Sequence, residues 1–178
     1  VIDFRCTLLL QVVGRQRLLW IKVGDGALVI QEQVSPVAPR CEVDRKKGRV
    51  KPGKMSSRSV PLTMRALGSP GKGEFANQTT FIDDRLSIDD VQFGVERMDR
   101  VCGMAVMSDG AAERLVAHDG SRIAQRLGEF LQALRSGRLH RADLMRFFHD
   151  DASWQGSSGD DRCLAMAACT RLTAPDRA

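Results

Sequence analysis

Three acidic positions in this chain share one local setting. Asp25, Asp109 and the pair Asp160-Asp161 each stand where an apolar, strand-like run gives way to a turn. Carboxylates gathered at strand ends suit hard divalent cations such as Mg2+ and Mn2+, which prefer oxygen ligands and retain several waters. Each position also has a purely structural explanation. Asp109 follows the apolar run 101–107 and precedes helix-favouring residues, where Asp is a preferred N-cap. Asp25 lies in Gly24-Asp25-Gly26, the composition of a tight turn between two β-type runs.

Other chemistries have weaker support. His118, His140 and His149 show no HxxxH or Cys/His spacing, so zinc is not expected and each reads as a surface histidine. No GxSxG, GxxxxGK[ST] or GxGxxG occurs, which removes the hydrolase-elbow, P-loop and dinucleotide-binding readings. Five cysteines form an odd set with no CxxC pair, and three lie in apolar runs. They read as small buried hydrophobes in a reducing, cytoplasmic compartment.

The elements that would carry the carboxylates follow from periodicity. Residues 6–13 and 18–23 are β-type runs separated by Gly14-Arg15-Gln16-Arg17, which predicts a hairpin, and 27–30 resumes as a third short strand. From 31 to 72 the hydrophobic period disappears. This stretch is expected to be a basic, irregular insertion or loop, and order returns with the strand-like end of 73–82. Residues 91–95 and 101–107 make two more strands. Ile123, Leu127, Phe130, Leu131 and Leu134 then fall on one helical face, so 121–135 is predicted as a helix capped by Ser121 and ended by Ser136-Gly137. A second amphipathic segment spans 142–149. Trp154 to Gly159 is expected to be a flexible loop that delivers Asp160-Asp161 to a last strand, 163–169, with a frayed tail at 171–178. Strands, then helices, then one returning strand indicate an α+β fold with an antiparallel sheet.

Length and charge set the outer bounds. At 178 residues the chain has room for one ordinary domain. Residues 40–72 hold ten Lys or Arg against Glu42 and Asp44, a local +8, while the rest of the chain sums to −3. A basic loop is usually a solvated loop, so nucleic acid is not expected as a partner. Neither a membrane span nor a signal peptide is recognisable. The chain opens at Val1 inside a strand-like run, which reads as the interior of a longer domain.

Four motifs, taken together, resemble the C-terminal two thirds of a bacterial protein phosphatase 2C domain, the metal-dependent PPM type. They are Val23-Gly24-Asp25-Gly26-Ala27, Gly73-Glu74-Phe75-Ala76-Asn77-Gln78-Thr79-Thr80-Phe81, Met107-Ser108-Asp109-Gly110-Ala111-Ala112-Glu113, and Gly159-Asp160-Asp161-Arg162-Cys163-Leu164-Ala165. They occur in that family's order, each at the expected strand or turn. The resemblance implies an antiparallel β-sandwich flanked by helices over residues 1–170. It also implies hydrolysis of phosphoserine and phosphothreonine in signalling proteins by a metal-activated water, with two Mg2+ or Mn2+ ions and a third, weaker one. Carried over by position, Asp109 and Asp160 are metal ligands and Asp25 serves the weaker metal. Asp161 and Gly110 stand behind the ligands and support them.

The departures bear on activity. The family's N-terminal segment supplies an Arg for substrate phosphate, a metal-bridging Asp-Gly pair and a nearby His, and none of these has a counterpart here. Two adjacent cations need shared anionic ligands to offset their repulsion, so the chain as written is expected to be weak or inactive. The alternative is a non-catalytic, phosphatase-like module that binds a partner.

Overall fold

The computed structural model describes residues 5–34, 61–69 and 79–170. Within them, β1 (Leu8–Val13) and β2 (Arg17–Val23) form the expected antiparallel hairpin, with Leu8 opposite Val23 and Val13 opposite Leu18. The Gly14 N–H closes the reversal on the Arg17 carbonyl at 2.8 Å. β5 (Gln92–Arg97) pairs with the free edge of β2 and completes a three-stranded antiparallel sheet in the order β1-β2-β5.

A second antiparallel sheet has the order β4-β3-β6-β7, built from β3 (Ala27–Gln33), β4 (Leu62–Leu67), β6 (Val101–Met107) and β7 (Leu164–Ala168). Its two faces are both covered, and the alternation along β3 shows how. Leu28 and Ile30 pack with Leu18, Leu67 and Val101 between the sheets. Ala27 and Val29 lie on the opposite face, against α1 (Asp109–Leu115), α2 (Gln125–Arg135), α3 (Arg141–Phe148) and α4 (Asp151–Trp154). The architecture is therefore α+β, two stacked antiparallel sheets with a helical layer on one side. With Ile30 fully buried at the centre, Ile30→Ala should cost about 2–5 kcal/mol, read from the midpoint of a denaturant transition. The outer face of the three-stranded sheet is also apolar and stays exposed at Leu10, Val12, Leu19, Phe93 and Val95.

Aromatic packing closes the helical layer. Phe147 stacks edge-on against Phe130 and Trp154 at ring separations of 5.2 and 5.3 Å. The Trp154 indole N–H donates to the Phe147 carbonyl at 2.7 Å, and the Arg162 guanidinium lies 4.1 Å above the Trp154 ring. Arg135, in the last turn of α2, donates to the buried Gln31 side chain and to the Cys102 carbonyl, which fastens the helix to β3 and β6.

Several expectations are corrected here. The stretch 31–72 is not wholly irregular, since β3 runs on to Gln33 and β4 occupies Leu62–Leu67. Arg65 can sit in that strand because it is paired with Glu32 at 2.9 Å and with Glu96 of the other sheet at 2.5 Å. Residues 35–60, including Cys41 and most of the basic run, lie outside the described residues, as do 70–78 and the tail 171–178. The strand expected at 79–82 reduces to one bridge between Ile82 and Cys6. The N-cap of α2 is Ala124 and not Ser121, whose hydroxyl and N–H both bond to Asp119. Trp154, expected in a flexible loop, is buried and ends α4. Of the cysteines, Cys102 alone among the described ones is buried; Cys6, Cys163 and Cys169 are exposed.

Candidate functional site

The Gly24-Asp25-Gly26 turn links β2 to β3, which belong to different sheets, so it is a crossing from one layer to the other and not a hairpin. Both glycines have positive φ, +92° and +73°. Both also make close approaches. A Cβ on Gly24 would stand 2.9 Å from the Thr80 carbonyl, and one on Gly26 would stand 2.6 Å from the Met107 carbonyl. Gly26 thus rests on the junction between β6 and α1. That contact brings Asp25 and Asp109, far apart in sequence, to the same cleft of about 470 Å³.

Asp109 is not the helix cap. Ser108 is the N-cap of α1, and Asp109 is the first helical residue, its Oδ1 accepting the Gly110 N–H at 2.8 Å. Asp25 Oδ2 accepts the Thr79 hydroxyl at 2.6 Å. Each carboxylate therefore keeps one oxygen for a further partner.

The Asp160-Asp161 segment is fastened to the same helix start by its backbone. Ser108 Oγ donates to the Asp161 carbonyl and accepts the Cys163 N–H, both at 2.9 Å. Gly110 has to be glycine for this approach, because a Cβ there would lie 2.8 Å from the carbonyls of both Asp160 and Asp161. Gly110→Ala should accordingly push residues 159–163 away from α1 and cost about 1–3 kcal/mol, with the displacement read as faster amide exchange at Cys163. The loop before it is held by Glu113, which accepts the Ser158 N–H, and by Arg114, which donates to the Gln155 carbonyl. Asp160 itself is exposed and stands beside the cleft, outside its lining. So the fold joins Asp25 and Asp109 in one cleft and anchors Asp160 and Asp161 next to them. Among the described residues, no three His, Cys, Asp or Glu side chains converge as a metal-holding group.

The cleft contains groups that sequence reasoning did not single out. Lys22 is 3% exposed, and its Nζ donates to the Gly26 carbonyl at 3.0 Å and the Ser69 carbonyl at 3.1 Å. Burial pushes its ammonium below the usual lysine value, and the neighbouring Asp25 carboxylate offsets part of that. The signal was present in the alternation of β2, where Leu18, Trp20 and Lys22 share one face. Thr79, Glu113 and the exposed His118 also border the cleft. All three histidines are exposed, as expected.

What this arrangement defines is a two-sheet antiparallel sandwich with a carboxylate-lined cleft at the crossing between its layers. The sequence profile described as Protein phosphatase 2C matches residues 59–149, just over half of the chain, and the chain belongs to that family. The matched span includes Asp109 and ends before Asp160; Asp25 precedes it. No curated protein and no solved structure matches the chain. The family is one of protein phosphatases, hydrolases of phosphate esters. No helix among the described residues is long and apolar enough to cross a membrane.

Proposed function

We propose that the chain carries the metal-dependent site of a protein serine/threonine phosphatase, in which Asp109 and Asp160 hold Mg2+ or Mn2+ and Asp25 serves a weaker third cation. One observation carries the reading: the Gly26 contact with the start of α1 places Asp25 and Asp109 in one cleft, with the Asp160 backbone packed on the adjoining Gly110. The donor set fits the group. It consists of carboxylates with an uncommitted oxygen each, and among the described residues no thiolate or imidazole pair competes for a softer metal. A bound divalent cation would add to the Lys22 ammonium in offsetting the repulsion between these carboxylates and a phosphate dianion. When bound, such cations supply a more acidic water and neutralise charge on the phosphoryl oxygens.

The chain's own residues do the positioning. The two turn glycines fix Asp25, Ser108 and Gly110 fix the Asp160-Asp161 segment against Asp109, and Leu28, Leu67 and Val116 give the cleft apolar walls that limit competing water. Asp161 contributes its carbonyl to Ser108 and so supports the ligands without being one. The substrate class is a phosphorylated protein in a reducing, cytoplasmic compartment, in keeping with the free thiols of Cys6, Cys102, Cys163 and Cys169.

The experiment uses the protein in its natural form. Phosphate release from a phosphothreonine peptide should require Mn2+ or Mg2+, stop with chelator, and exceed release from the phosphotyrosine analogue. Release indifferent to chelator would contradict the proposal. A second reading, a non-catalytic phosphatase-like module, is favoured by the lack of a three-donor group among the described residues. It predicts saturable phosphopeptide binding with no phosphate released, whereas on the first reading the present chain, with its few carboxylates, should turn over slowly.

A further inference from the structure

We infer that Lys22 sets the cation affinity at the Asp25 end of the cleft: its buried ammonium supplies a fixed positive charge beside Asp25, so a divalent ion binds there more weakly than at Asp109. This rests on the metal-dependent reading of those two carboxylates.

The placement is specific. Lys22 is almost completely buried, yet it lines the same cleft as Asp25 and Asp109. Two of its three N–H donors are committed, to the carbonyl of Gly26, the residue after Asp25, and to that of Ser69 at the end of β4. The ammonium cannot swing out to solvent without leaving both carbonyls unpaired, so the charge stays where it is. Leu28 and Leu67 line the same cleft, and like charges repel more strongly beside apolar walls than in water. One Asp25 oxygen already accepts the Thr79 hydroxyl, which leaves the other to attract a dication. The field is mutual, since Asp25 is what opposes the effect of burial on the Lys22 ammonium. Strand β2 could have ended on an apolar inward residue, as at Leu18. A charged one there is costly unless it has partners.

The other groups bordering this end do not replace its role. Arg114 is engaged with the Gln155 carbonyl and Glu113 with the Ser158 N–H, both on α1. Among the described residues, Lys22 is a cation of Asp25's own layer that lines the cleft, and it acts on affinity through charge and not by ligation.

Calorimetric titration with Mn2+ alone tests this on the native protein and on Lys22→Gln, Lys22→Met, Lys22→Arg and the double variant Lys22→Gln/Asp25→Asn. Gln keeps a donor for the carbonyls without the charge, Met removes both, and Arg keeps both. The weaker Mn2+ site should tighten at least about fivefold in the Gln and Met variants. Arg should leave it at the native affinity, and the double variant should lose the gain. Folded Gln and Met variants with native affinity would overturn the inference, as would an Arg variant that tightens like Gln. If Mn2+ binding depends on Asp109 but ignores Lys22, this inference alone fails. If the native protein gives no Mn2+ heat and Asp109→Ala changes nothing, the metal-dependent reading fails with it.

Discussion

Replacing Asp109 with Ala should lower Mn2+-dependent phosphate release from a phosphothreonine peptide by about a hundredfold or more, with little change in unfolding midpoint. The two effects separate because of where the residue sits. Asp109 is exposed, and its Oδ1 accepts the N–H of the next residue in its own helix. Losing that bond and the favourable carboxylate at a helix N-terminus costs the fold only about 0.5–1 kcal/mol. The proposed chemistry loses far more, since of the proposed ligands the cleft would keep only Asp25, one of whose oxygens is committed to Thr79. Steady-state release measured beside a thermal scan distinguishes a ligand from a structural cap, for a cap would lose stability and keep its rate.

Gly26→Ala should destabilise the protein by about 2–5 kcal/mol. Two costs add. At φ +73° an L-residue is strained by about 1–3 kcal/mol, and the new methyl would stand 2.6 Å from the Met107 carbonyl, which as backbone of a central strand cannot move aside cheaply. Gly137 provides the control. It has nearly the same φ, +67°, but nothing stands within 4 Å of where its Cβ would go, so Gly137→Ala should show only the backbone cost, about 1 kcal/mol. Chemical denaturation of the two variants isolates the contact that holds the crossing turn on α1. The Gly26 variant should also lose Mn2+ affinity, because that contact is what brings Asp25 to Asp109.

The local elements were legible and, the β1-β2 hairpin apart, their partners were not, for a physical reason that recurs. Strands β1, β2, β3 and β6 announce themselves as short apolar runs, and helix α2 by its period, because one buried face requires it. Nothing local says that β2 and β3 belong to different sheets, since sheet membership is decided by pairing with residues far along the chain. Hence Gly24-Asp25-Gly26 read as a turn but not as a crossing. β4 was missed because Leu62–Leu67 lies among Pro, Gly and basic residues, and the charge that spoils its pattern, Arg65, is satisfied only by Glu32 and Glu96 from two other strands. Trp154 read as loop because Gly156 and the serines follow it, whereas its burial depends on Phe130 and Phe147 arriving from two helices. Cys169 shows the same limit in reverse: an apolar neighbourhood in sequence does not say which face of an edge strand a side chain takes. At the site, the resemblance supplied the candidate ligands, and the fold supplied the cleft shared by Asp25 and Asp109 and the cation, Lys22, that lies within it.

The most direct measurement of the central claim, that strand-end carboxylates around the start of α1 hold a divalent cation, is Mn2+ calorimetry of the native protein against Asp109→Ala and Asp160→Ala. Saturable binding in the native protein that is lost in both folded variants is the predicted result. Equal binding heats in all three proteins would contradict it.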